Sequence, residues 1–432
     1  MHQSHRMLLA GTGPASVQLA VSLHAELNAE IGIAGRRSAR SQPFFASLSQ
    51  TGGLLRASVQ NEKHSRLEGE CLASRVYEGY DTVDGIWDML ILAVTTDAYL
   101  EVLKQLSSSV IRGLQSVVLV SPTFGSSRLV SGYLESLQSK AEVISCSTYI
   151  GDTRWLHGEP SGQVLTAGVK RKIFIGSTCA SSEQATRLAE AFQRLGIGVT
   201  QTATPIEAEA RNISLYVHPP LFMNDFSLDA VFGQPAKARK YVYKLYPEGP
   251  ITQELIRDML AQWKEITSIL AALGVDGVNL LRFMTDDNYP VRPESLSRRD
   301  IEEFVGLEPI HQEYLLYIRY ASLLIDPFST PDEQGRYYDF SAVPFRALFV
   351  NLEGELDIPR MPKEDYYRLK IIQGIARHLQ VACPTIDRFL SLYEAKLAEA
   401  SGVGHDVPLS RAFQAQSFEE DLAIICKHIG GT

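Results

Sequence analysis

Cysteine is scarce in this chain, with five in 432 residues, at Cys71, Cys146, Cys179, Cys383 and Cys426. They are odd in number, far apart and never paired as CxxC, which excludes a disulfide framework and a zinc site of familiar spacing. A reducing cytoplasm is the expected location. No apolar run reaches the length of a membrane span, and the opening MHQSHRMLLAGTG lacks the charged, apolar and cleavage segments of a signal peptide. Basic residues are outnumbered, 41 to 50, and neither sign is concentrated in one region, so nothing suggests a nucleic-acid or anionic-membrane partner. Repeats and low-complexity tracts are also missing. These absences leave an ordinary globular protein whose partner is a small molecule, and 432 residues are enough for two domains.

The first half alternates short apolar runs with amphipathic stretches, the pattern of a parallel sheet with helical crossovers. Strands are expected at Met7–Ala10, Glu30–Ala34, Met89–Val94, Ser116–Ser121 and Glu142–Ser147. Helices are expected at Pro14–Leu27, Ala98–Leu106, Ser126–Leu137 and Glu183–Leu195, with a hairpin or two late strands over Leu165–Gly176. After about Thr204 long helical patterns take over, including Ile251–Leu273 and Ile310–Ile325. The expectation is an α/β chain: a Rossmann-type nucleotide-binding domain over residues 1–204, then a mostly α-helical domain over 205–432.

The run Met7-Leu8-Leu9-Ala10-Gly11-Thr12-Gly13-Pro14-Ala15-Ser16 sets GxGxxS between a strand and a helix. Gly11 permits the tight turn, Gly13 lets the backbone approach a pyrophosphate, and the helix start, flanked by Thr12 and Ala15 and opened by Pro14, which has no N–H of its own, offers free N–H groups and partial positive charge. Ser16 stands where the full fingerprint has glycine or alanine. The second strand ends in Gly35-Arg36-Arg37-Ser38, with Arg40 close behind, where an NAD-type site carries an acid. Guanidinium groups there suit a 2′-phosphate, so the expected cofactor is NADPH. A solvated basic loop is the plain alternative. The loops holding Thr95 and Pro122 follow further strands and are expected to line the cofactor groove.

Several strings resemble the opine dehydrogenases that make nicotianamine-like metallophores, the staphylopine, pseudopaline and yersinopine dehydrogenases. They include Gly11 to Pro14, Ser147-Thr148-Tyr149 with Gly151 to Arg154, RNISLYVHPPLFMNDFSL from Arg211, YVYKLYPEGPI from Tyr241, NYPVRP from Asn288, EYLLYIRYASLLIDPFS from Glu313 and PRMPKEDYY from Pro359. They run in order along nearly the whole chain. The resemblance implies a Rossmann-type domain plus a helical opine-dehydrogenase domain, a cleft between them, a homodimer, and NADPH-driven condensation of pyruvate or 2-oxoglutarate with an aminobutyryl-histidine amine.

Such a condensation moves protons when the amine attacks, when water leaves and when the imine is reduced. A histidine suits that traffic because its pKa lies near working pH. His218, before the Pro219-Pro220 break, is the candidate, with a packing or capping histidine as the bland alternative. Its orienting acid is expected to be Asp326, with Asp287 and Asp225 as rivals and a turn-forming acid as the plain reading. Arg319, seven positions before Asp326 on one expected helix, is the candidate cation for substrate carboxylate, or else an internal ion pair. Asn224, Tyr243 and Trp263 are candidate amine-substrate contacts that core packing would equally explain. Asp152, expected in a loop, would repel the distal carboxylate of 2-oxoglutarate and so favour pyruvate, unless it merely caps that loop. No metal bound by the enzyme is indicated. Rival functions are a 3-hydroxyacid or ketopantoate-type NADP dehydrogenase without an amine partner, which would use a lysine, and a silent NADP sensor.

Overall fold

The computed structural model describes residues 5–233, 239–326 and 328–429. The chain forms two compact units, one of residues up to Asn212 together with Glu420 onward, the other Ile213–Glu419. From the sequence, the change falls at about 204 and the whole C-terminal tail goes with the helical part. The tail instead returns: along the helix Glu419–Lys427, Glu420 pairs with Lys104, while Ile424 and His428 close over Gly132 of the helix Ser126–Ser136. Gly132 is small enough to admit them.

The first unit is built on eleven strands: β1 (Arg6–Ala10), β2 (Glu30–Gly35), β3 (Leu54–Val59), β4 (Gly69–Glu78), β5 (Met89–Leu92), β6 (Ser116–Leu119), β7 (Glu142–Cys146), β8 (Gly151–Trp155), β9 (Gln163–Val169), β10 (Lys172–Ser177) and β11 (Gly198–Thr202). Their order is β11-β10-β7-β6-β5-β1-β2-β4-β3-β9-β8. The six strands from β4 to β7 run parallel. The chain winds one way from β1 through β2 and the other way from β5, so the strand order reverses beside β1, the position where such sheets hold a nucleotide.

Both faces of the parallel strands are covered, and side chains alternate between them as the pleat requires. Met7, Leu9, Ile31, Ile33 and Ile91 join the core under the helices Pro14–Leu27 and Glu183–Arg194, while Leu8, Ala10, Leu90, Leu92 and Leu119 join the core under Tyr99–Gln105 and Ser126–Ser136. Each such leucine or isoleucine contributes about 1.5–3 kcal/mol by leaving water. The two late strands exist but do not form a hairpin with each other: β9 pairs with β3 and β8, and β10 with β7 and β11.

The second unit is helical, apart from a two-stranded pair at Phe349–Val350 and Leu356–Asp357. Its centre is the helix Gln253–Ala272, capped by the Thr252 hydroxyl and burying Leu255, Met259, Trp263, Ile266 and Leu270 at helical spacing. It packs against Ser214–Phe222, Pro309–Ala321 and Pro384–Ser401. Among the described residues no helix is long and apolar enough to cross a membrane.

Candidate active site

In the first unit the turn after β1 brings the glycine pair to the point of strand reversal. Gly11 has φ +134°, its N–H donates to the Ala34 carbonyl, and a Cβ there would stand 2.5 Å from the Ala93 carbonyl oxygen. Glycine is therefore required by the close approach of β1 and β5. Gly13 is the N-cap residue of Pro14–Leu27, and a Cβ on it would meet nothing within 4 Å. No side chain caps this helix start, unlike the later helices led by Ser107, Ser182 and Thr204. Thr12, Pro14 and Ala15 are partly exposed beside it. Uncapped N–H groups, partial positive charge and open space at Gly13 fit a dinucleotide pyrophosphate.

Arg36, Arg37 and Arg40 are all exposed just past β2, and Arg37 pairs with Asp81 at 3.2 Å. Three guanidinium groups at that strand end fit a 2′-phosphate, with one of them already held in place by an acid. Thr95 is exposed, next to the short turn Thr96–Ala98. Pro122 is buried, and its carbonyl accepts from the Asn212 side chain at 3.4 Å. Asp152 lies in strand β8, at an irregularity in its pairing with β9, and is exposed; the expected loop is a strand because Gly151–Trp155 finds an antiparallel partner. Burial lowers the Lys170 pKa, and the charge of Asp152 opposes that shift.

In the second unit His218 sits within the helix Ser214–Phe222, which runs through Pro219 and Pro220 without breaking there. Proline at 219 removes the N–H that would reach the Leu215 carbonyl, and the Gln262 amide supplies a donor instead. The helix thus survives and leaves the His218 side chain 17% exposed. Its Nε2 is 3.4 Å from the Ser214 hydroxyl, and the ring packs edge-on against Phe222 at 5.6 Å.

The acid facing this imidazole is Asp365, whose Oδ1 is 4.0 Å from Nδ1 of His218. Asp365 is wholly buried in the helix Arg360–His378 and is bonded by Arg368 one turn on, while its Oδ2 has no partner among the described residues. Burial pushes the carboxyl up and the Arg368 guanidinium pulls it back down. Asp326, the acid expected to orient the imidazole, is engaged in its own turn. The helix of Arg319 ends at Ala321, so the two do not share a helical face, and Asp326 accepts from the Phe328 N–H in a local turn. The neighbouring Pro327 lies outside the described residues. Asp225 sits in the first turn of the helix Asp225–Phe232, where its charge suits the dipole.

Arg319 is only 5% exposed, and among the described residues no carboxylate pairs with it and its Nε has no partner. Burial lowers its pKa, while Tyr320, Tyr289 and Tyr243 oppose the shift. Tyr243 is raised chiefly by burial, and the charge of Arg319 opposes the shift while that of Asp365 adds to it. Tyr243 and Tyr289 both pack on Phe340, at 6.1 and 4.7 Å. A buried cation without its anion is costly, and a carboxylate of a bound molecule would satisfy it.

Two expected contacts are absorbed by the fold. Trp263 is 4% exposed, and its indole N–H donates to the Val278 carbonyl. Asn224 caps the helix Asp225–Phe232, accepting from the Ser227 N–H and donating to the Pro220 carbonyl. Asp365 was missed although it lies within the quoted string PRMPKEDYY. Its signal was an acid on an apolar stripe, with Pro362, Tyr366, Leu369 and Ile372 buried around it at helical spacing. Among the described residues no group of three or more His, Cys, Asp or Glu side chains is arranged to hold a metal ion.

The family model of staphylopine dehydrogenase matches residues 5–429. The chain is 45% identical over 426 residues to staphylopine synthase of Staphylococcus aureus (strain Mu50 / ATCC 700699), covering 98% of each. It is 36% identical to pseudopaline synthase of Pseudomonas aeruginosa (strain UCBPP-PA14) over 391 residues, covering 90% of this chain and 89% of the relative. Among solved structures it superposes on yersinopine dehydrogenase with NADP+ bound at a TM-score of 0.90, with 31% identity and 99% of each chain covered.

Proposed function

The chain belongs to the staphylopine dehydrogenase family, and from that premise we propose that it is an NADPH-dependent opine dehydrogenase joining a 2-oxo acid to the primary amine of an aminobutyryl-histidine substrate. The observation that carries this reading is the imidazole of His218 facing the buried carboxyl of Asp365; in the same unit Arg319 is a buried cation with no carboxylate partner among the described residues.

Two tasks have to be met: a proton must come off the attacking amine and return to the departing hydroxyl, and charged substrates must be oriented. His218 takes the first task, accepting a proton from the ammonium and later donating it to the leaving oxygen. Asp365, held by Arg368, orients the ring and stabilises the imidazolium; in this reading a small movement of the ring closes the 4.0 Å separation. Arg319, with the Tyr243 and Tyr289 hydroxyls, receives a substrate carboxylate. Bound NADPH supplies the hydride for the imine carbon. Gly11 to Ala15 accept its pyrophosphate, Arg36, Arg37 and Arg40 its 2′-phosphate, and Thr95 and Pro122 belong to the loops beside it; the NADP+ in the solved relative supports the choice of cofactor.

Pyruvate is the favoured oxo acid, because the negative charge of Asp152 opposes a second carboxylate and tolerates a methyl group. A homodimer in the cytoplasm completes the reading. The test follows NADPH absorbance with oxo acid alone and then with oxo acid plus amine, identifying the product by mass spectrometry. Oxidation only when both are present supports it; oxidation by oxo acid alone would show a ketone reductase.

A further inference from the structure

Glu209 takes no part in the chemistry just proposed, yet it is the most completely buried acid of the first unit, at 0% exposure. It ends the short helix Pro205–Glu209, which packs against β7 and β10. Its carboxylate accepts three hydrogen bonds: from the Gly125 N–H at 2.9 Å, the Ser127 N–H at 2.7 Å and the Ser145 hydroxyl at 2.9 Å. Three residues later Asn212 donates to the Pro122 carbonyl. One short stretch of chain therefore holds both ends of the loop Pro122–Gly125.

A helix start is ordinarily capped by its own N-cap side chain, at little cost. Here the N-cap is Gly125 at φ +90°, which has no side chain to offer, and a remote, fully desolvated carboxylate serves instead. That is an expensive cap, since a buried charge costs far more than a buried serine. The location accounts for it. Two helices, Pro14–Leu27 and Ser126–Ser136, begin after the parallel strands β1 and β6, and each N-terminus attracts anions. Only the first is without a side-chain acceptor.

We propose that Glu209 is a positioning residue for the dinucleotide, a resident carboxyl whose oxygens fill the N-terminus of Ser126–Ser136, fix Pro122–Gly125, and leave Pro14–Leu27 as the phosphate receiver. The proposal rests on the NADPH reading above. Glu209→Gln keeps the shape and one acceptor oxygen and replaces the other with an NH2 donor, which cannot accept from the helix N–H groups. NADPH affinity, measured by fluorescence titration, weakens by about tenfold, the scale of losing a charged hydrogen-bond acceptor. The loss falls on affinity and on KM for NADPH rather than on kcat at saturation. Sulfate then competes with NADPH in the variant at concentrations that leave the wild type unaffected, a change that general loosening of the fold would not produce. If Glu209→Gln does not fold, Ser145→Ala removes one donor and keeps the carboxylate, and it weakens NADPH binding by a smaller factor with the same split between KM and kcat. NADPH affinity within twofold of wild type in the variant that folds, without sulfate competition, overturns the proposal. Failure of the wild type to bind NADPH overturns the functional reading and this proposal with it.

Discussion

The Gln262 side-chain amide donates to the Leu215 carbonyl, the acceptor left vacant by the missing N–H of Pro219. The residue before Pro219 is His218, so the imidazole is presented by a helix whose vacant carbonyl is satisfied from a neighbouring helix. Gln262→Met leaves that carbonyl buried without a donor and is expected to cost about 1–3 kcal/mol. Chemical denaturation measures the loss, and kcat falls alongside it as His218 loses its fixed position.

Removal of the imidazole is the most direct test of the chemistry. His218→Ala is expected to lower kcat by about 10²–10⁴, the usual share of a general acid–base group, with NADPH affinity nearly intact. An unchanged rate would refute the assignment.

Asp365→Asn separates the two acids considered for His218. It should reduce kcat and alter its pH profile, because an amide does not stabilise an imidazolium as a carboxylate does. Asp326→Asn, altering a residue engaged in a local turn, should leave the pH profile where it was.

Arg319→Met removes a buried cation that lies over the Tyr320 ring but pairs with no carboxylate among the described residues. Folding stability should hold or rise, since desolvation of the charge is relieved. KM for a carboxylate-bearing substrate should rise by about tenfold or more, the scale of a charge-assisted hydrogen bond. Steady-state kinetics with thermal unfolding reads both, and a fall in stability without a change in KM would mark Arg319 as structural.

Burial raises Glu209 from 4.5 to about 7 and pushes Asp365 in the same direction. Between pH 4.5 and 7 the folded protein therefore keeps a proton on Glu209 that the unfolded chain has released. This contribution to stability is full below 4.5, falls as pH rises to 7 and levels off above it, with a span of up to about 3 kcal/mol. Asp88 and Asp357 are lowered, the first with Arg6 and the second with Lys363 as partner, and their contribution is lost only as pH falls through the acid range. Urea midpoints between pH 5 and 8 should decline with pH in the wild type and decline less in Glu209→Gln.

The first unit was legible to the degree that its signals were local. Strands β1, β2, β5, β6 and β7 are apolar runs closed by turns, and their helices carry capping or glycine signals. Strands β3, β4, β8 and β11 were not read, because Leu54–Val59 and Gly69–Glu78 mix exposed and buried residues irregularly at the flank of the sheet, where one face need not be apolar. In the second unit the helical texture was plain, but the extent of each helix was not. Pro219-Pro220 signals a stop, yet the helix continues, with Gln262 of another helix donating to the carbonyl that Pro219 leaves without its N–H.

By itself the sequence determined the dinucleotide turn, since strand, glycine pair and helix start lie within ten consecutive residues and their geometry follows from local backbone rules. It also determined that a histidine stood beside a double proline. The tertiary structure alone decided that Asp365 faces His218, that Gln262 sustains its helix and that Glu209 reaches beneath the Pro122–Gly125 loop. Periodicity shows which side of a helix turns inward. Which distant side chain meets it there depends on how whole helices and strands pack, and no local pattern encodes that.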